Sequence, residues 1–146
     1  MTPMRRRKPL DTLQRLAEHA ADASSREVSQ LLRALLQEEQ RLAQLAGYVS
    51  DYQKLASKGT AGLTIGAIRG RRGFVERLAE AVNRQQQVVR TQEERYHQHI
   101  ERWRLARSRA LGLQRFNERI RDEAAARQER REQAALDEIS RNQLRR

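Results

Sequence analysis

Few side chains in this sequence can do chemistry alone, and their spacing limits which chemistry is open to them. The histidines are His19, His97 and His99. Two histidines on one helix share a metal ion when they stand three or four residues apart, so the two-residue step from His97 to His99 aims the rings to different sides. There is no cysteine, which removes thiolate ligands, thiol nucleophiles and disulfides. No Ser-His-Asp or Cys-His set is discernible and the carboxylates are scattered, so we assign no catalytic residue, no metal ligand and no cofactor, and read the chain as a non-enzyme. One stretch remains, Gly59 to Phe74, GTAGLTIGAIRGRRGF, which holds five of the seven glycines together with Arg69, Arg71 and Arg72. A phosphate-cradling loop needs a preceding strand and a closing Gly-Lys-Ser/Thr, and a dinucleotide fingerprint needs a βαβ unit. Neither is present. As an RNA-binding segment, Arg69-Gly70-Arg71-Arg72-Gly73 is one short match. The favoured reading is a turn between two helices.

The elements on either side support that reading. Prolines occur only at Pro3 and Pro9 in 146 residues, 34% of the residues are charged and 4% aromatic. A long proline-free run of Ala, Glu, Gln, Arg and Leu is the composition of long helices or coiled coils. The expected fold is all-α, one long antiparallel two-helix coiled coil spanning 1–146 as a single domain. Helix one should run from about 10 to 58, opened by Pro9 and a weak capping box of Asp11 and Gln14 and closed by a left-handed Gly59. The turn covers 59–64. Helix two should run from about 65 to 142, with Thr64 as its N-cap and Leu63 and Ile68 as a hydrophobic staple.

Two apolar stripes can be read separately. In helix one it passes through Leu10, Leu13, Ala17, Ala20, Val28, Leu31, Leu35, Leu42, Leu45, Val49 and Tyr52, with a phase slip expected near Ser24. In helix two it passes through Val75, Leu78, Val82, Gln85, Val89, Gln92, Tyr96, His99, Trp103, Ala106, Ala110, Leu113, Asn117, Ile120 and Ala124. Facing positions of an antiparallel pair have a constant sum of residue numbers. Tyr52 with Val75, Leu45 with Val82, Leu31 with Tyr96 and Leu10 with Asn117 all sum to 127. Beyond about residue 120 helix two should continue without a partner.

The formal net charge is +11. Such an excess permits binding to nucleic acid, acidic lipid or acidic protein and selects none of them. It concentrates in Arg5-Arg6-Arg7-Lys8, in Arg69, Arg71 and Arg72, and along helix two, while 118–146 is nearly balanced with eight Arg and seven acids. No continuous basic stripe emerges. The start is basic without an apolar segment behind it, so no secretory signal is expected, and no apolar run is long enough to insert into and span a membrane. Tyr48, Tyr52 and Phe74 gather near the turn, where a two-helix seam is too narrow to bury them all. They suit a binding patch and a covering for the thin core equally well.

Specific residues carry a resemblance. Leu45-Ala-Gly-Tyr48-Val-Ser-Asp-Tyr52, Gly62-Leu63-Thr64, Phe74-Val-Glu-Arg-Leu78, Trp103 with Arg107, and the late Arg130-Arg131-Glu132-Gln133 with Asp137-Glu138 resemble the FliJ family, over nearly the full chain. The resemblance implies a coiled coil similar to the two-helix part of the rotary ATPase γ subunit, and a cytoplasmic protein peripherally associated with the inner membrane at the flagellar base. It implies three partners: the hexameric flagellar export ATPase, which it would stimulate, the export-gate membrane protein, and export chaperones. The gate-binding positions it implies are Arg41, Leu45, Tyr48, Tyr52, Phe74, Leu78, Ala81 and Gln85; Arg41 and Gln85 depart in type from the family's residues. Arg130, Arg131 and Asp137 are the positions it suggests for the ATPase. The reading is a stalk in flagellar type III export, with no specific nucleic acid and no direct membrane insertion. The alternatives are a basic coiled-coil nucleic-acid-binding protein or the equivalent stalk of an injectisome.

Overall fold

The computed structural model describes residues 4–145, with side chains from Pro9 onward, so the side chains of the Arg5-Arg6-Arg7-Lys8 cluster lie outside the described residues. Two helices, α1 (Met4–Ser57) and α2 (Ile65–Leu144), make up the element order, and no strand occurs among the described residues. They form a helical hairpin whose second helix is the longer.

The start of α1 differs from the sequence expectation. Pro9 lies inside the helix instead of opening it. Proline removes one amide donor and disfavours the turn before it, yet close to a helix start few intrahelical bonds are lost. Asp11 and Gln14 therefore do not cap. Asp11 accepts an ion-paired hydrogen bond from Arg121 at 3.2 Å, and the Gln14 amide donates to Glu18 at 3.0 Å.

The turn follows the expected chemistry. Gly59 (φ 90°) and Gly62 (φ 83°) are the described residues with left-handed backbone. Lys58 and Gly59 donate their amides to the carbonyls of Leu55 and Ala56, which closes the last turn of α1. The amide of Leu63 then bonds the carbonyl of Thr60 at 3.1 Å. Within that turn only the third residue, Gly62, has positive φ, the signature of a type II turn. Thr64 caps α2: its hydroxyl oxygen accepts the Ala67 amide at 3.1 Å, and its carbonyl accepts the Ile68 amide at 3.0 Å.

The chain divides into two compact units, Ser24–Trp103 around the turn, and Met1–Ala23 with Arg104–Arg146 around the termini. In the turn unit the buried and half-buried residues of α1 include Ser24, Val28, Leu31, Leu35, Glu38, Leu42, Leu45, Val49 and Tyr52. Those of α2 include Val75, Leu78, Val82, Gln85, Val89, Gln92, Tyr96, His99 and Trp103. Each residue of the first set has a counterpart in the second at a sum of 127, so the antiparallel register read from sequence is the register found. Cross-helix contacts agree with it: the Tyr52 and Phe74 rings lie 4.8 Å apart at 56°, and His99 Nε2 approaches Glu27 at 3.9 Å.

In the terminal unit the inward residues include Leu10, Gln14, Ala17 and Ala21 on α1 and Ala106, Ala110, Leu113 and Asn117 on α2, again at a sum of 127. Leu13 and Ala20, assigned to the seam from sequence, are exposed, and Gln14 and Ala21 take their places. This removes the phase slip expected near Ser24. Steps of four and three alternate without interruption in α1, because the partner helix sets the inward face and not the more apolar of two neighbours. An inward glutamine is tolerated because it is paired. Asn117, 5% exposed, donates to Gln14 Oε1 at 2.6 Å and to the Leu10 carbonyl at 3.4 Å. A buried polar residue of this kind in a coiled-coil seam fixes register. Past Ala126 every described residue is exposed.

Candidate protein-interaction site

A two-helix seam leaves two flanks, and in the turn unit one flank is apolar. Seam residues of each helix alternate three and four apart, so they can be lettered a and d of a heptad, with Val49 at a and Tyr52 at d in α1, Val75 at a and Leu78 at d in α2. The residue just before each a, lettered g, stands beside the seam. In an antiparallel pair the g positions of both helices fall on the same side. Arg41, Tyr48 and Leu55 are the g residues of α1 near the turn, and Phe74, Ala81 and Val88 those of α2.

All eight positions suggested for gate binding fall on d or g. Leu45, Tyr52, Leu78 and Gln85 are half-buried d residues, and Arg41, Tyr48, Phe74 and Ala81 are g residues. The structure brings them to one side of one unit. The d residues form the floor, and the g residues rise from it: Tyr48 is 56% exposed and Phe74 38%. Large aromatic surface left in water beside a half-buried apolar floor is the usual form of a binding hot spot. The Tyr52 ring fixes the edge of the patch by packing on Phe74, a contact worth about 0.5–1.5 kcal/mol beyond buried area.

Arg41 and Gln85 have a second occupation. The Gln85 amide donates to the carboxylate of Glu38 at 2.6 Å and to its carbonyl at 2.9 Å, while the Arg41 guanidinium pairs with the same carboxylate at 2.9 Å. Glu38 thus ties the two helices together at the lower edge of the patch. Sequence reading passed over Glu38 because it is charged, although it stands three residues after Leu35 in the seam. It also passed over Leu55 and Val88, both exposed g residues that extend the apolar flank.

Arg130, Arg131 and Asp137 lie in the terminal unit, all exposed on the single-helix part of α2. Asp137 accepts a hydrogen bond from Gln133 at 3.4 Å, one helical turn away. Nothing draws the three into a cluster. His99 donates from Nδ1 to the Arg95 carbonyl at 2.9 Å, and no group of three potential metal-binding side chains converges among the described residues. A shallow apolar groove of about 640 Å³ opens in the terminal unit, lined by Leu13, Leu16, Ala20, Ala106, Gly112 and Leu113 among others. It has no carboxylate, imidazole or hydroxyl in its lining, so it offers no acid–base chemistry. No helix among the described residues is long and apolar enough to cross a membrane.

Comparison with known proteins returned no match among curated proteins or solved structures. The model of one family, described as flagellar FliJ protein, matches residues 6–146. That match takes in both helices, the turn and the single-helix tail, and it places this chain in the FliJ family, as a component of flagellar type III export.

Proposed function

We propose that the chain is a non-catalytic stalk that links the hexameric export ATPase to the export gate. The observation that carries this reading is the family match across residues 6–146, joined to an exposed aromatic flank on the unit that holds the turn. In this reading Tyr48 and Phe74 are the main gate contacts, with Leu45, Tyr52 and Leu78 as floor and the small Ala81 beside them. Arg41 and Gln85 act mainly as positioning residues, through Glu38. The terminal unit engages the ATPase and raises its turnover and ring assembly, with Arg130, Arg131 and Asp137 as the suggested contacts. A balanced set of arginines and acids suits a partner that presents several equivalent subunits, since it favours none by net charge. The protein also escorts emptied export chaperones, and it works at the cytoplasmic face of the inner membrane at the flagellar base.

Adding the purified chain to the cognate ATPase tests the first link. Turnover and ring formation should rise with concentration and saturate. Unchanged turnover at a saturating excess would remove the stalk reading. Binding of the gate protein's cytoplasmic part to the Tyr48→Ala and Phe74→Ala variants tests the second.

A further inference from the structure

The turn between α1 and α2 has a charge pattern that docking on the aromatic flank leaves unused. From Tyr52 to Val75 there is no acidic residue, while Lys54, Lys58, Arg69, Arg71 and Arg72 all fall in that interval. The cations do not sit at the apex. Residues 59–68 carry no charge, and of the large apolar side chains there Ile65 is 73% and Leu63 37% exposed, while Ile68 is half-buried. Lys54, Lys58, Arg69 and Arg72 are exposed and Arg71 is half-buried. At 1.5 Å of rise per residue, Arg69 and Arg72 lie about 6 and 10 Å along α2 from Ile65. The result is an uncharged apolar cap in front of a belt of cations.

That layering matches a specific kind of surface. Apolar groups of peripheral proteins sink about 5–10 Å into the boundary between lipid headgroups and acyl chains. Cations set back by the same distance then lie level with the phosphates. An acidic protein or a nucleic-acid backbone would be met by cations placed foremost, and single-stranded nucleic acid also by stacking aromatics. The apex has neither. We propose that the hairpin tip seats on an anionic phospholipid surface, with Leu63 and Ile65 entering the headgroup layer and Lys54, Lys58, Arg69 and Arg72 pairing with lipid phosphates. The contact is shallow and nothing spans the bilayer. It revises the expectation of no direct insertion read from the sequence, and it does not depend on the stalk reading.

The test uses the full chain and vesicles of phosphatidylglycerol with phosphatidylcholine, against vesicles of phosphatidylcholine alone, by co-sedimentation at physiological salt. The chain should bind the anionic vesicles and not the neutral ones. The triple variant Lys58→Gln, Arg69→Gln, Arg72→Gln removes exposed side chains and spares the seam. Each cation near such a surface is worth about fivefold in partitioning, so binding should fall by on the order of 100-fold. Removing the same charge elsewhere, with Arg102→Gln, Arg109→Gln and Arg119→Gln, should cost far less. Equal losses for the two triple variants would show general attraction of a basic chain and overturn the proposal. Because the chain has no cysteine, Ile65→Cys gives a unique attachment point for an environment-sensitive dye. Its emission should shift to the blue on anionic vesicles. An unshifted emission on bound protein would overturn the seating of the apex. Absence of vesicle binding, with an acidic peptide or an RNA captured through Arg69 and Arg72, would assign the belt to an acidic macromolecule instead.

Discussion

The pairing of Gln85 with Glu38 makes a quantitative prediction. The Gln85 amide spends its donors on a carboxylate oxygen at 2.6 Å and a backbone carbonyl at 2.9 Å of the facing helix. A hydrogen bond to a charged group contributes about 1.5–3 kcal/mol net. Glu38 keeps 18% side-chain exposure, so water replaces part of what is lost and the lower end of that range applies. Gln85→Ala also strips one half-buried methylene, for about 0.4 kcal/mol more. The expected total is roughly 2 kcal/mol, read by urea unfolding followed at 222 nm. Gln85→Leu keeps the apolar stem and should lose only the bonding part. A double-mutant cycle with Glu38→Ala isolates the pair, and the coupling should come to about 1–1.5 kcal/mol. A coupling of about 0.3 kcal/mol or less, the error of additivity, would refute the tie between the helices. The same cycle divides the two roles of Gln85. If it positions the patch through Glu38, Gln85→Ala weakens gate binding in the native background and adds nothing once Glu38 is alanine. An undiminished second loss would make Gln85 a direct contact.

Other substitutions probe the turn, the seam and the patch. Thr64→Ala removes the hydroxyl that accepts the Ala67 amide and should cost about 1 kcal/mol in thermal or urea unfolding. Gly62→Ala forces a side chain into left-handed backbone at φ 83° and should cost about 1–2 kcal/mol although no atom blocks the added carbon, whereas a neutral result would mean that the turn has another form in solution. Asn117→Leu removes the amide that satisfies Gln14 and the Leu10 carbonyl, and so should loosen the terminal register, visible as faster hydrogen exchange in residues 10–21, while Asn117→Leu with Gln14→Leu restores protection. Tyr48→Ala and Phe74→Ala should weaken gate binding with far-UV helicity near native, and a large loss of helix would make the flank structural.

Much of the fold was legible because a coiled coil is a local code. The α2 seam from Val75 to Ala124 was read residue for residue, since its apolar and polar seam positions keep one spacing. Gly59 and Thr64 announced the turn because left-handed backbone and helix caps each select few residue types, while the left-handed Gly62 emerged from the structure. The errors came where hydrophobicity competed with register. Leu13 looked inward because it is more apolar than Gln14, Ala20 because it keeps the spacing from Leu13 and Ala17 although Ala21 is just as apolar, and Glu38 looked outward because it is charged. Whether such a residue faces in depends on the partner helix, which the α1 sequence does not contain. The gate-binding positions came from resemblance, and nothing in composition separates them from ordinary seam residues.

The sequence by itself determined two helices, a turn at 59–64 and an antiparallel register, because periodicity and backbone preference are properties of neighbouring residues. Tertiary structure alone decided that Gln14 and Glu38 lie inward, since each is satisfied by a donor more than forty residues away. It also decided that Tyr48, Leu55, Phe74 and Val88 share one flank. That flank exists only once two chain segments, running in opposite directions, lay the same side of their heptads together.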